Sequence, residues 1–113
     1  MKYKSRYFVA VVSAQNESWG NSFKSTTAWI GSHYGVRKSR AKVLARACVR
    51  LTNLIVSYSD VDNTQPSDVD VLVKQYMVYN SLKLTDTEII VIGYEIYDGF
   101  FRSLTIEEYS QAI

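Results

Sequence analysis

The residues able to do chemistry in this chain are few and scattered. His33 is the single histidine and Cys48 the single cysteine. Zinc needs three or four ligands at recognisable spacing, and neither CxxC nor HxxxH occurs, so no metal is expected. A Cys–His nucleophile pair is formally available. Cys48, however, falls on the apolar stripe of a helical segment, where a thiol behaves as a small hydrophobe rather than a reactive group. Carboxylate pairs come from Asp68/Asp70, Glu95/Asp98 and Glu107/Glu108. The first and third have capping explanations, and Asp98 reads as a turn residue. Glu95, sharing a face with Tyr97 in an alternating segment, is placed on the solvent side. With no Walker sequence, GxGxxG or GxSxG, nothing calls for a cofactor, and the expectation leans away from an enzyme.

The strongest chemical signal is charge. Residues 1–59 hold ten Lys/Arg and one acid, Glu17, whereas residues 60–113 hold three Lys/Arg and ten Asp/Glu. The local sums, +9 and −7, recover the net +2. Such asymmetry points either to halves that neutralise one another or to an anionic partner. Arg37, Lys38, Arg40, Lys42, Arg46 and Arg50 concentrate the effect in the stretch Gly35 to Asp60. Cations at a helix start oppose its dipole by roughly 0.3–1 kcal/mol each, and the like-charged steps Lys42/Arg46 and Arg46/Arg50 add about 0.2–0.5 kcal/mol each. Acids of the second half, a phosphate at the helix start or an acidic protein surface would relieve them.

Trp19 is the other candidate contact, an aromatic among amides and a glycine in the stretch Gln15 to Asn21. An exposed loop tryptophan is a good interface anchor. Trp19, Phe23, Trp29, His33 and Tyr34, interleaved with bases, also allow nucleobase stacking, although aromatic residues more often fill a core.

These residues need elements to position them. Tyr7 to Val12 reads as a β-branched strand, too short for a signal-peptide core. Ser22 to Ile30 alternates like a second strand, completing a hairpin, and Gly31 to Gly35 turns the chain. The basic helix starts near Ser39, a good N-cap residue, or a few positions earlier, and runs to about Tyr58, with Leu44, Ala47, Cys48, Leu51, Leu54, Ile55 and Tyr58 as its inner stripe. Lys42, Arg46 and Arg50 lie on its outer face. Asp60 to Gln65 reads as a mobile link. Pro66 opens a second helix that ends near Leu82, with Ser67 and Asp70 as a capping box. Glu88 to Tyr97 reads as a buried strand, Asp98-Gly99 as a type I′ turn and Phe100 to Leu104 as its return strand. Thr105 and Glu108 form a capping box opening a short final helix.

The expected order is β-β-α-α-β-β-α, a single α+β domain over residues 1–113 with an antiparallel sheet and helices on one face. No stretch approaches the roughly 18 apolar residues of a membrane span, so a cytoplasmic protein with no membrane partner is expected. The favoured role is a small non-enzymatic binding or regulatory protein. It would present the basic helix face, the Trp19 loop or both to an acidic protein surface. An inhibitor of a larger host machine, encoded by a virus or mobile element, fits that description. Nucleic acid is the alternative partner for the same face. A small enzyme with a site invisible to motifs, or a self-assembling protein, is the remaining alternative, and the charge polarity also permits a homo-oligomer.

Overall fold

The computed structural model describes residues 19–58, 63–100 and 104–113, and in these the regular elements are five α-helices. Helix α1 spans Trp19–Tyr34, α2 Lys38–Tyr58, α3 Pro66–Tyr79, α4 Asp86–Phe100 and α5 Ile106–Ala112. No strand occurs among the described residues, so the expected antiparallel sheet and the α+β class are replaced by an all-α fold. The expected strand Tyr7 to Val12 lies outside the described residues.

The segment expected as the second strand is α1. Its inward positions are Phe23, Thr26, Thr27, Ile30 and Tyr34, spaced three or four apart, with Thr26, Thr27 and Ile30 buried. The threonines hide this period in the sequence because they are polar by type. In the structure, Thr27 Oγ1 donates to the Phe23 carbonyl at 2.8 Å, which satisfies the hydroxyl within the helix. Gly35 ends α1 at φ +65°, and the Val36 N–H closes onto the Gly31 carbonyl at 3.2 Å. This is a Schellman termination, and glycine is the residue that enters the left-handed region without a Cβ penalty.

Helix α2 follows after a short link and packs along α1. Its inner stripe is as expected for Leu44, Ala47, Cys48, Leu51 and Ile55, all buried, whereas Leu54 is exposed. The helix begins one residue before Ser39, so Ser39 is not its cap. Ala41, Ala45, Val49 and Thr52 are buried as well, because α2 is covered on two sides, by α1 and by α4.

Helix α3 starts at Pro66 as expected, but its cap differs. The Gln65 N–H donates to Asp68 Oδ2 at 2.9 Å, while Asp70 is buried and binds Lys74. Past Tyr79 the helix terminates through Ser81 at φ 52°, with the Leu82 N–H returning to the Met77 carbonyl at 2.9 Å.

The segment expected as a strand and hairpin turn is α4. Ile89, Val91, Ile92, Gly93, Glu95, Ile96 and Tyr97 are all buried. This helix touches α2, α3 and α5, so it is apolar nearly all round, a pattern that periodicity cannot separate from a buried strand. Its start is marked by a reciprocal cap: Glu88 N–H to Thr85 Oγ1 at 3.1 Å and Thr85 N–H to Glu88 Oε1 at 2.9 Å. Asp98 and Gly99 lie in its last turns rather than in a hairpin. Phe100 ends the helix, and the remainder of the expected return strand lies outside the described residues up to Leu104.

Helix α5 begins at the expected capping box, Thr105 with Glu108, at 3.1 and 3.0 Å. It is held by Tyr109, which is fully buried. A Cβ on Gly93 would overlap the Tyr109 hydroxyl oxygen, so the glycine in α4 makes room for this ring.

Candidate functional site

Of the six expected basic residues, Arg40 is paired internally, Lys38 and Lys42 line an open groove, and Arg37, Arg46 and Arg50 are exposed outside it. Arg40 is taken internally. Its Nε donates to Glu88 Oε2 at 2.9 Å and its Nη2 to Glu88 Oε1 at 2.7 Å, a fork that only a guanidinium makes. Nη2 also reaches the Lys83 carbonyl at 3.2 Å. The Arg40 hydrogen bonds hold the Glu88 carboxyl below the usual glutamate range against the opposing effect of burial, and the Thr85 cap adds to the lowering. Arg46 lies with its guanidinium carbon 5.2 Å from the Phe23 ring centroid, a cation–π arrangement between α2 and α1. Arg50 borders, with Arg46 and Tyr76, a shallow recess between α2 and α3 of about 240 Å³.

Arg37, Lys38 and Lys42 stay exposed. Lys38 and Lys42 belong to a groove of about 600 Å³ between α1 and the start of α2. Its floor is Phe23, Thr27, Ala28, Gly31, Val36 and Ala41, and its rim carries Lys24, Lys38 and Lys42. No acidic side chain among the described residues lines it. Among the described residues, the three rim lysines enter no ion pair. A mostly apolar concavity with a few charges of one sign at its edge can seat an apolar side chain while its acidic neighbours meet the ammonium groups.

Local sequence builds this groove. Small residues at Ala28, Gly31 and Ala41 leave the floor low where the two helices meet. Gly31 lies close to α2: a Cβ there would stand 3.4 Å from the Val36 carbonyl and 3.8 Å from the Ala41 Cβ. Lys24, Thr27, Ala28 and Gly31 share one side of α1 at steps of three and four, and Lys38 and Lys42 are one turn apart on α2. Lys24 is the site residue that the sequence reading misses, and its proximity to Phe23, expected only as a stacking aromatic, is hidden because a strand places the two on opposite faces of a sheet. A helix over Trp19–Tyr34 brings both to the groove.

Trp19 is the first residue of α1 rather than part of a free loop, and the loop residues before it lie outside the described residues.

Glu95 is not on the solvent side. It is 1 % exposed, accepts the Trp29 indole N–H on Oε1 at 3.0 Å, and accepts the Tyr34 hydroxyl on Oε2. Burial, then the bond to Glu95, pushes the Tyr34 hydroxyl well above the usual tyrosine range. Trp29 in turn stacks on His33 at 4.5 Å. A carboxylate enclosed to this degree, with a donor on each oxygen, fastens α1 to α4. His33 is thereby a ring partner, and Cys48 is buried with Sγ 3.9 Å from the Ile92 carbonyl. Among the described residues, no three His, Cys, Asp or Glu side chains group as a metal site, and no helix is long and apolar enough to cross a membrane.

The chain matches no protein-family model, no curated protein and no solved structure.

Proposed function

We propose that the chain is a small binding protein that docks an acidic segment of a protein partner in the α1–α2 groove. An apolar anchor of that segment sits on the floor by Phe23, Ala28 and Val36. Its carboxylates meet Lys24, Lys38 and Lys42, and Arg37 extends the positive rim toward the link between the helices. The observation that carries this reading is the union of an apolar floor with three rim lysines and, among the described residues, no lining acid. A surface that only tracks phosphates needs no apolar floor, which favours a protein segment over nucleic acid. Such a part suits a regulator or inhibitor that works by occupying its target's surface.

The test is affinity capture at moderate salt, with and without nuclease, from cells of the protein's natural setting. The wild-type chain is expected to retain a protein that Lys38→Glu with Lys42→Glu loses and that Lys83→Glu keeps. Retention unaffected by the Lys38 and Lys42 reversals would exclude the groove. Loss of all retained material on nuclease treatment would assign the basic face to nucleic acid instead.

A further inference from the structure

The walls of the α1–α2 groove restrict the conformation of what enters it. Arg46 lies over Phe23 and Gly31 lies against Ala41, so the two helices run antiparallel and the groove follows both. From Phe23 to Gly31 its floor runs about 12 Å along α1, a little over two helical turns. An extended segment laid there carries backbone N–H and C=O groups that need partners once water leaves. Among the described residues no sheet edge borders the groove to supply them. The one side-chain hydroxyl of the floor, Thr27, donates to the Phe23 carbonyl, and the Gly31 carbonyl accepts from the Val36 N–H. A helix satisfies its own backbone and asks only for apolar contact. Ala28, Gly31 and Ala41 are small enough to let one settle at the usual interaxial distance of about 8–10 Å.

Charge makes the same distinction. Lys24 stands on the α1 wall, Lys38 and Lys42 stand on the α2 wall, and Arg46 continues the α2 row one turn further. Among the described residues none of the four enters an ion pair. In an extended segment with its apolar residues on the floor, the alternate side chains point away from the floor and from both walls. In a helix, the residues beside the apolar stripe point sideways, one set toward Lys24 and the other toward Lys38, Lys42 and Arg46. These three α2 residues rise about 6 Å per step, as carboxylates at i and i+4 of a helix alongside do. We infer, on the footing that this groove is the docking site, that the partner's acidic segment enters it as an amphipathic α-helix with acids on both flanks of its apolar stripe.

Two labelled peptides of about 12 residues, identical in leucine and glutamate content, test this on the full chain. One carries its leucines at three- and four-residue steps, the other at every second position, and neither is long enough to be a stable helix alone. Fluorescence anisotropy reads affinity, and far-ultraviolet circular dichroism of the mixture, less that of its parts, reads helix gained on binding. The helical-period peptide is expected to bind at least about tenfold more tightly than its isomer and to gain helix. Ala28→Trp fills an exposed floor position without altering charge, and is expected to weaken that binding at least about tenfold. Equal affinity of the two peptides, or binding without gain of helix, in either case lost in Ala28→Trp, would overturn the helical occupant and leave the groove as the docking site. Failure of both peptides to bind, or binding that Ala28→Trp leaves unchanged, would overturn the groove as the docking site and the helical occupant with it.

Discussion

Arg40 and Glu88 join the start of α2 to the start of α4 through two parallel hydrogen bonds, 2.9 and 2.7 Å long. Glu88 simultaneously caps its own helix at Thr85, so one carboxylate serves a tertiary fork and a local cap. The pair also answers, for one residue, how the basic and acidic halves of the chain meet: Arg40 is neutralised internally while Lys38 and Lys42 are left at the rim.

A double-mutant cycle with Arg40→Ala and Glu88→Ala is expected to give a coupling of about 0.5–1 kcal/mol in urea denaturation at pH 7, because the pair is partly solvated. Glu88 has a lowered folded pKa, so its contribution is present above the ordinary glutamate value and is lost as pH falls through the lowered one. The coupling should therefore weaken as pH falls below the ordinary glutamate value. A coupling unchanged in acid would show that the contact is not ionic.

Gly93 and Tyr109 make a steric pair in the same core. Gly93→Ala sets a methyl against a ring that is fully buried, and overpacking of this kind costs about 1–3 kcal/mol. The Tyr109 hydroxyl is buried without a hydrogen-bond partner among the described residues, so Tyr109→Phe alone should change stability by less than about 1 kcal/mol. Added to Gly93→Ala, it should recover part of the loss; the phenyl carbon at 3.1 Å prevents full recovery. Chemical denaturation of the four chains checks this, and strict additivity would contradict the geometry.

Tyr34 and Tyr109 are both pushed above the usual tyrosine range, burial being the first cause in each. A raised folded pKa gives stability that is complete below the unfolded value and lost as pH rises. Stability should thus decline from about pH 10, where unfolded tyrosines ionise. Tyr34→Phe should reduce the steepness of that decline by up to one proton. In absorbance at 295 nm, the native chain should withhold these two hydroxyls until it unfolds. Full tyrosine ionisation of a still-helical chain at pH 11 to 12 would contradict this.

The extent to which the sequence discloses this fold follows from which residues face inward. Helix α2 is legible because Leu44, Ala47, Cys48, Leu51 and Ile55 are apolar by type and lie on one stripe. Helix α5 is legible because Thr105 and Glu108 name its start. Helix α1 is obscured by Thr26 and Thr27, polar by type yet buried; the Thr27 hydroxyl is satisfied by the Phe23 carbonyl, which hydropathy does not register. Helix α4 is obscured for the opposite reason: it is the centre of the bundle, and a helix apolar on most sides has no period to read. The Thr85 and Glu88 cap is the local signal that separates it from a strand, and Asp98-Gly99 competes with that signal by resembling a turn. The basic residues Arg37, Lys38 and Lys42 are legible as exposed charges. Their assembly with Lys24 and Phe23 is not, since it requires α1 to be a helix.

Amide chemical-shift perturbation tests the groove most directly. Two probes of equal charge would be added to the labelled chain: an acidic peptide with leucines at helical spacing, and a single-stranded oligonucleotide. The peptide is expected to shift resonances of Phe23, Lys24, Ala28, Val36, Lys38 and Lys42, with the effect lost in the Lys38→Glu, Lys42→Glu chain. No perturbation by the peptide at these residues, or equal perturbation by the oligonucleotide, would contradict a groove built for an acidic protein segment.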